Sequence, residues 1–303
     1  MIDPLIGRTF PGYGSPEPDK RPLARTSGTG KVAGDPITVR PRPRSLPTVL
    51  GVGEDPEFAR LVAEGEAVPV EGWDFSWFDG RATEERPSWG YARMMAERMT
   101  HACAALDIQT GGGEVLAGIT HPPPVLAATE SWPPNAELAR RNLAPLGGRV
   151  VQVADDAGLP FPAESFDLVV SRHPVELVWP EISRVLRPGG TFFSQLVGAG
   201  SNRALTDFMM GPQPVSQARG ASRARAEAGA AGLVVVDLRE EALRTVFNDV
   251  GAVVYFLRKV LWTVPGFTVS GYRDRLRLLH EKIQLQGPFV AHAQRALIEA
   301  RKP

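Results

Sequence analysis

Asp107, Gly111, Gly113, Glu130 and Asp155 are the residues whose types and order equip this chain to hold a polar ligand. The run Ala104-Ala105-Leu106-Asp107-Ile108-Gln109-Thr110-Gly111-Gly112-Gly113-Glu114 passes from apolar residues through an acid into a glycine cluster. It reads as a buried parallel strand, a tight turn and a helix start. Gly111 and Gly113 admit positive φ and let a ligand approach without a Cβ between. The amides and dipole of the following helix favour the negative end of that ligand. Glu130 lies 23 positions after Asp107, at the end of the next apolar run, where an acid accepts hydrogen bonds from ribose hydroxyls. Asp155, followed by Asp156, ends a third such run and is placed to accept from an adenine amino group. Together these acids suggest an adenosine-containing ligand. A ligand-free glycine turn with polar strand ends is the plain alternative. A nicotinamide dinucleotide is the competing ligand, but the acid ahead of the glycines and the incomplete G-x-G-x-x-G series speak against it.

The elements that must position these residues follow from the rest of the chain. With 303 residues and 43% apolar content, it can fill one large α/β core or two modest ones. No stretch approaches the roughly 20 apolar residues of a membrane span. The 34 basic and 34 acidic side chains cancel, which argues weakly against a dedicated nucleic-acid binder. Cys103 is the only cysteine and is expected at the start of the first core strand as a small apolar residue. With no internal disulfide and no signal-peptide pattern, a cytoplasmic setting is expected. The five histidines are scattered, so no metal site is expected.

Residues 1–54 are rich in Pro, Gly and Arg and read as a disordered tail. Within it, Ser27-Gly28-Thr29-Gly30-Lys31 fails as a phosphate loop: a glycine is missing five residues before Gly30, and Val32 replaces Ser or Thr. Residues 55–101 read as a helical and aromatic cover, with a first helix from Pro56 and an aromatic-charged block from Trp73 to Tyr91. In that block Arg81, Trp89 and Tyr91 are candidates to fix a substrate, the alternative being a packed cover with solvated charges. Residues 102–303 alternate strands and helices as in a parallel, doubly wound sheet. Asn135 is expected to cap a helix, Arg187-Pro188-Gly189-Gly190 to form a turn, and residues 246–260 to form an apolar helix opening a lid insertion over about 246–287. Trp262 and the basic run Arg273, Arg275, Arg277 fall in that insertion.

The run from Leu106 to Leu196 resembles the class I S-adenosylmethionine-dependent methyltransferases. The resemblance is carried by Leu159-Pro160-Phe161-Pro162-Ala163-Glu164-Ser165-Phe166-Asp167-Leu168-Val169 followed by Arg184-Val185-Leu186-Arg187-Pro188-Gly189-Gly190. It implies a Rossmann-like, seven-stranded, mostly parallel sheet with an antiparallel last strand, and S-adenosyl-L-methionine as cofactor. By this similarity Asp107, Gly111 and Gly113 line the methionine end, Glu130 the ribose, and Asp155 with the backbone near Asp156 the adenine. Gln109 replaces the family's first loop glycine, and its side chain is expected either to crowd the cofactor or to bond it. Ser171-Arg172-His173 follows the fourth strand at the point where such sheets open their crevice. Ser171 is therefore a cofactor-side candidate, Arg172 a partner for an anionic substrate group, and His173 the candidate general base. The expected acceptor is a small molecule, with RNA as the alternative if the arginine series forms a basic rim. A non-catalytic cofactor-binding protein is the third reading.

Overall fold

The computed structural model describes residues 55–70, 75–216 and 219–303. The tail 1–54, with its Ser27–Lys31 run, lies outside the described residues, as do Trp73 and Asp74 of the aromatic block.

β2 (Ala104–Asp107) is buried at every position, as a strand covered on both faces must be. It pairs in parallel with β3 (Val125–Glu130) on one side and with β5 (Phe166–Arg172) on the other. β4 (Arg149–Gln152) extends the sheet beyond β3, and β6 (Leu186–Val197) beyond β5, again in parallel. β8 (Phe289–Arg301) runs antiparallel between β6 and β7 (Val234–Phe247). A short β1 (Ala82–Glu84) closes that edge, antiparallel to β7. Among the described residues the order is β1-β7-β8-β6-β5-β2-β3-β4, eight strands where seven are expected.

Successive strand residues feed opposite faces. Leu168, Val170 and Phe193 pack with Met95 and Met99 of α2 (Tyr91–His101) and with Ala139 and Leu143 of α4 (Pro133–Leu143). Val169 and Phe192 pack with Ile182 of α5 (Trp179–Val185) and Ala224 of α7 (Ala221–Ala230) on the other side. This is the period of two expected of a sheet covered by helices on both faces.

The C-terminal hairpin overshoots this sheet. β6 ends at Val197, opposite Arg295, whereas β8 begins six residues earlier at Phe289, opposite Phe247. At about 3.3 Å per residue, β7 and β8 stand some 20 Å past the carboxyl edge. A second core gathers on the overhang from both ends of the chain. It takes Phe58 and Leu61 of α1 (Pro56–Ala67), Leu205 and Met209 of α6 (Arg203–Met210), α8 (Val250–Lys259), and Leu276 and Leu279 of α9 (Arg273–Gln286). Nine of the ten residues of α8 are buried, so it is wrapped on all sides. α1 crosses it closely at paired glycines: a Cβ on Gly65 would lie 2.3 Å from the Gly251 oxygen, and one on Gly251 2.4 Å from the Leu61 oxygen.

Several expectations give way. Residues 82–84 of the expected cover form a sheet strand, because the overhanging β7 offers an edge for them to pair with. Val246 and Phe247 end β7 rather than opening the helix, which starts at Val250 with Asp249 accepting from the Ala252 amide. Asn135 is no cap: proline at the first position starts α4 at Pro133, with Asn135 buried in its first turn. The 187–190 segment continues β6 rather than turning, because the Gly189 amide donates to the Lys302 carbonyl and the Lys302 amide to Gly190. Cys103 is exposed, just outside β2.

Candidate active site at the carboxyl edge

β2 neighbours β5 on one side and β3 on the other, so the connections leave β2 and β5 in opposite directions and open a crevice between them. The chain leaves β2 under tight control. The Ile108 amide donates to the Val170 carbonyl (2.9 Å) and the Thr110 amide to the Thr129 carbonyl (2.9 Å). Gln109, Gly111 and Gly113 all take left-handed backbone, with φ of 57°, 65° and 78°. The two glycines hold that conformation without strain, whereas Gln109 holds it against its own Cβ. Gly113 leads into α3 (Glu114–Ala117).

Carboxylates converge on this turn. Glu130, 6% exposed, accepts from the Gly111 amide through Oε2 (2.9 Å) and from the Trp132 amide through Oε1 (3.0 Å). Each oxygen keeps a further lone pair for a ligand donor. Burial still raises its pKa above the ordinary carboxylate value. Asp107, also 6% exposed, is pushed up to about 7, first by burial and further by the Glu130 charge. The Thr110 hydroxyl, donating to Asp107 Oδ2 at 2.7 Å, and the Arg172 charge oppose that rise. Asp155 is raised by burial and by the charges of Asp156 and Glu176. Glu114 is raised by burial, against the pull of Arg172. The crevice is thus a set of desolvated acids facing one guanidinium, a field that favours a cation bearing hydroxyl or amino donors.

Gln109 does something other than the two expected roles. Its Nε2 donates to the Glu176 carbonyl (2.6 Å) and its Oε1 accepts from the Val175 amide (2.5 Å). The carboxamide therefore clasps the segment after β5. Between Gln109, Asp155, Glu176 and Ile182 a cavity of about 20 Å³ is left.

The residues after β5 divide by task. Ser171 is fully buried; its hydroxyl donates to the Ile108 carbonyl (2.7 Å) and its carbonyl accepts from Tyr91 Oη and Ser194 Oγ. It splices β5 to its neighbours. Tyr91 stacks on Phe193 at 5.2 Å, within the helix layer. Arg172, the last residue of β5, is half-buried, and its charge lowers the pKa of Asp107 and Glu114. His173, 6% exposed and left-handed at φ 57°, anchors its amide on the Gln195 carbonyl.

A buried relay fixes the His173 ring. The Trp89 indole N–H can only donate, and it donates to Gln195 Oε1 at 2.7 Å. Gln195 Nε2 then faces His173 Nε2 at 2.8 Å and must donate to it. In the neutral ring the proton sits on Nδ1, and the Nε2 lone pair is already taken. Gln195 therefore occupies Nε2 of the histidine expected as general base, and Nδ1 is buried on the other side of the ring.

The structure thus brings Asp107, Gln109, Gly111, Gly113, Glu130, Asp155, Ser171, Arg172 and His173 to one edge, with Asp156 exposed beside them. It does not bring the substrate candidates there as a group. Trp89 and Tyr91 are buried behind β5 and β6. Arg81 bonds Glu64 (2.9 Å) and Asp249 (2.8 Å) and lies 4.1 Å over the Trp77 ring, tying α1 to α8. Trp262 packs against the second core, with the Arg219 guanidinium 5.5 Å from its ring. Gln195 was the residue the sequence left unread, although a glutamine inside the apolar run Phe192–Val197 was its signal. Among the described residues no group of three or more metal-ligating side chains occurs.

Known proteins share the domain and the fold. The family model described as a methyltransferase domain matches residues 106–194. Among solved structures, the YcgJ protein from Bacillus subtilis superposes with a TM-score of 0.51 at 18% identity, covering 70% of this chain and 97% of its own. A functionally unknown protein from Deinococcus radiodurans R1 superposes with a TM-score of 0.52 at 15% identity, covering 73% and 91%. Both likenesses are of fold. No curated protein matches the chain.

By that match the stretch 106–194 is a methyltransferase domain.

Proposed function

We propose that the carboxyl-edge crevice holds S-adenosylmethionine and that the enzyme methylates a small-molecule acceptor. One observation carries the reading: Asp107, Glu130 and Asp155 are desolvated carboxylates gathered at the ends of β2, β3 and β4. Burying acids without cations is costly, and a ligand that brings positive charge and hydroxyl donors relieves the cost. In this reading Asp107 and the Gly111–Gly113 turn hold the methionine end, Glu130 the ribose and Asp155 the adenine. The bound cofactor supplies an activated methyl group for in-line displacement, and the protein supplies alignment and exclusion of water. Ser171 keeps β5 in register, His173 shapes the chain leaving it, and Arg172 is the cation an anionic acceptor group would meet.

Two of the three α9 arginines support a small acceptor over RNA. Arg273 lies 5.4 Å over the Phe58 ring, and Arg277 pairs with Asp274, so both serve the protein itself. In calorimetry, S-adenosylhomocysteine should bind the wild-type chain, and radiolabelled cofactor with cell extract should label small metabolites. No binding at roughly millimolar ligand defeats the cofactor reading; label entering RNA defeats the acceptor reading.

A further inference from the structure

The side chain that departs from the family pattern is the one that closes the crevice. Gln109 is held by its own backbone, the amide donating to Thr129 Oγ1 at 3.3 Å between the Ile108 and Thr110 bonds already described. Its carboxamide reaches across to Glu176 O and Val175 N, offering one donor and one acceptor as a strand neighbour would. The segment it grips, 174–178, belongs to no helix or strand.

What lies on each side of that segment differs. Toward Asp155 there is a cavity of about 20 Å³, room for about one water. On the other side, between the same segment and α7, runs a groove of about 670 Å³ lined by Leu196, Val197 and Ala224 together with the charged Asp156, Arg223 and Glu227. Val175 meanwhile leaves 40% of its surface in water. Leu177 packs against the sheet core and the Val178 carbonyl accepts from the Glu181 and Ile182 amides, so the far end of the segment is anchored. Its near end, with an exposed valine beside the groove, is held by the Gln109 clasp.

We propose that Gln109 is a latch: its carboxamide holds residues 174–176 across the crevice, and an adenosine-bearing ligand enters when the clasp opens and this stretch swings toward the groove about its anchored end at Leu177 and Val178. This rests on the adenosine reading above. It makes Gln109 a determinant of ligand entry, with the left-handed strain at its backbone retained to aim the side chain.

The test uses the full chain, S-adenosylhomocysteine as probe, and two variants. Gln109→Asn tolerates the left-handed backbone but is one methylene too short to reach both partners. Gln109→Gly removes the side chain and the strain together. Two measurements are made: stopped-flow association followed by tryptophan fluorescence, and hydrogen exchange of the 173–178 peptide without ligand. Removing two bonds should speed both association and exchange at Val175 by about tenfold or more in each variant. Unchanged association and exchange in both variants overturn the latch, and so does faster exchange with unchanged association. If neither wild type nor variants bind the probe at about millimolar concentration, the adenosine reading fails, and the latch as a gate for such a ligand fails with it.

Discussion

Titrating the cofactor site is the sharpest test of its electrostatics. Asp107 in the free protein is pushed up to about 7, chiefly by burial. At pH 6 about nine-tenths of its carboxyls are then protonated, and at pH 7.5 about one quarter. A ligand whose cationic arm lies against Asp107 needs the carboxylate, so binding at pH 6 must first expel a proton. If the bound state returns Asp107 to an ordinary carboxylate pKa, the affinity for S-adenosylmethionine rises about eightfold from pH 6 to 7.5, or ~1.2 kcal/mol. The window stops at 7.5 because α-amino groups titrate near 8. Glu130 and Asp155 are shifted in the same direction, also by burial. The sign for the free protein is opposite. A carboxyl whose folded pKa is raised gives its full stability below the ordinary carboxylate value, and that stability is lost as pH climbs to about 7. Calorimetry across the window measures the first effect and thermal unfolding the second. Asp107→Asn should flatten both profiles. An affinity that is level or falls from pH 6 to 7.5 in the wild type refutes the reasoning.

Three further outcomes follow from the geometry. Glu130→Ala should weaken S-adenosylhomocysteine binding by about 1–3 kcal/mol and lower thermal stability as well, since the Gly111 and Trp132 amides lose their acceptor; equal affinity by calorimetry removes Glu130 from the site. The His173 ring should show the Nδ1–H tautomer by nitrogen NMR near neutral pH, and Gln195→Leu should release it; a protonated Nε2 in the wild type breaks the relay from Trp89. Gly251→Ala should cost about 3 kcal/mol in denaturant unfolding, because the new methyl meets the Leu61 carbonyl of α1 rather than a yielding side chain; a loss under ~0.5 kcal/mol contradicts the close crossing.

What the sequence made legible was local. The buried run ending at Asp107, the glycines after it and the acid at 130 announce themselves because strand, turn and strand end each have their own composition. The helices on both faces were visible for the same reason: Tyr91, Met95 and Met99 repeat every four residues. The rest depends on partners distant in sequence. Ala82-Thr83-Glu84 has no strand pattern and becomes one only beside Phe247, more than 160 positions on. Val246 and Phe247 suit a helix or a strand equally until β8 supplies a ladder. Gln109 illustrates the same limit at the site. Its departure from the family pattern was plain, but its partners are backbone groups of Val175 and Glu176, and backbone groups carry no signature in a sequence.

The two cores divide the work of the crevice. The sheet core fixes the acidic side, since Asp107, Glu130 and the Gln109 turn all sit at strand ends whose register is set by parallel ladders. The overhang fixes the opposite side, and there α1 packs with α8 and α9. Arg81, expected at a substrate, instead joins Glu64 of α1 to Asp249, the residue that also caps α8. Below it, Glu84 of β1 pairs with Arg295 of β8 at 2.5 Å, the side chains 4% and 1% exposed, and the Arg172 charge reaches Glu84. Removing one partner of such a pair strands the other without water, at about 3–5 kcal/mol. The β1–β8 junction therefore ties the overhang to the sheet that carries the crevice.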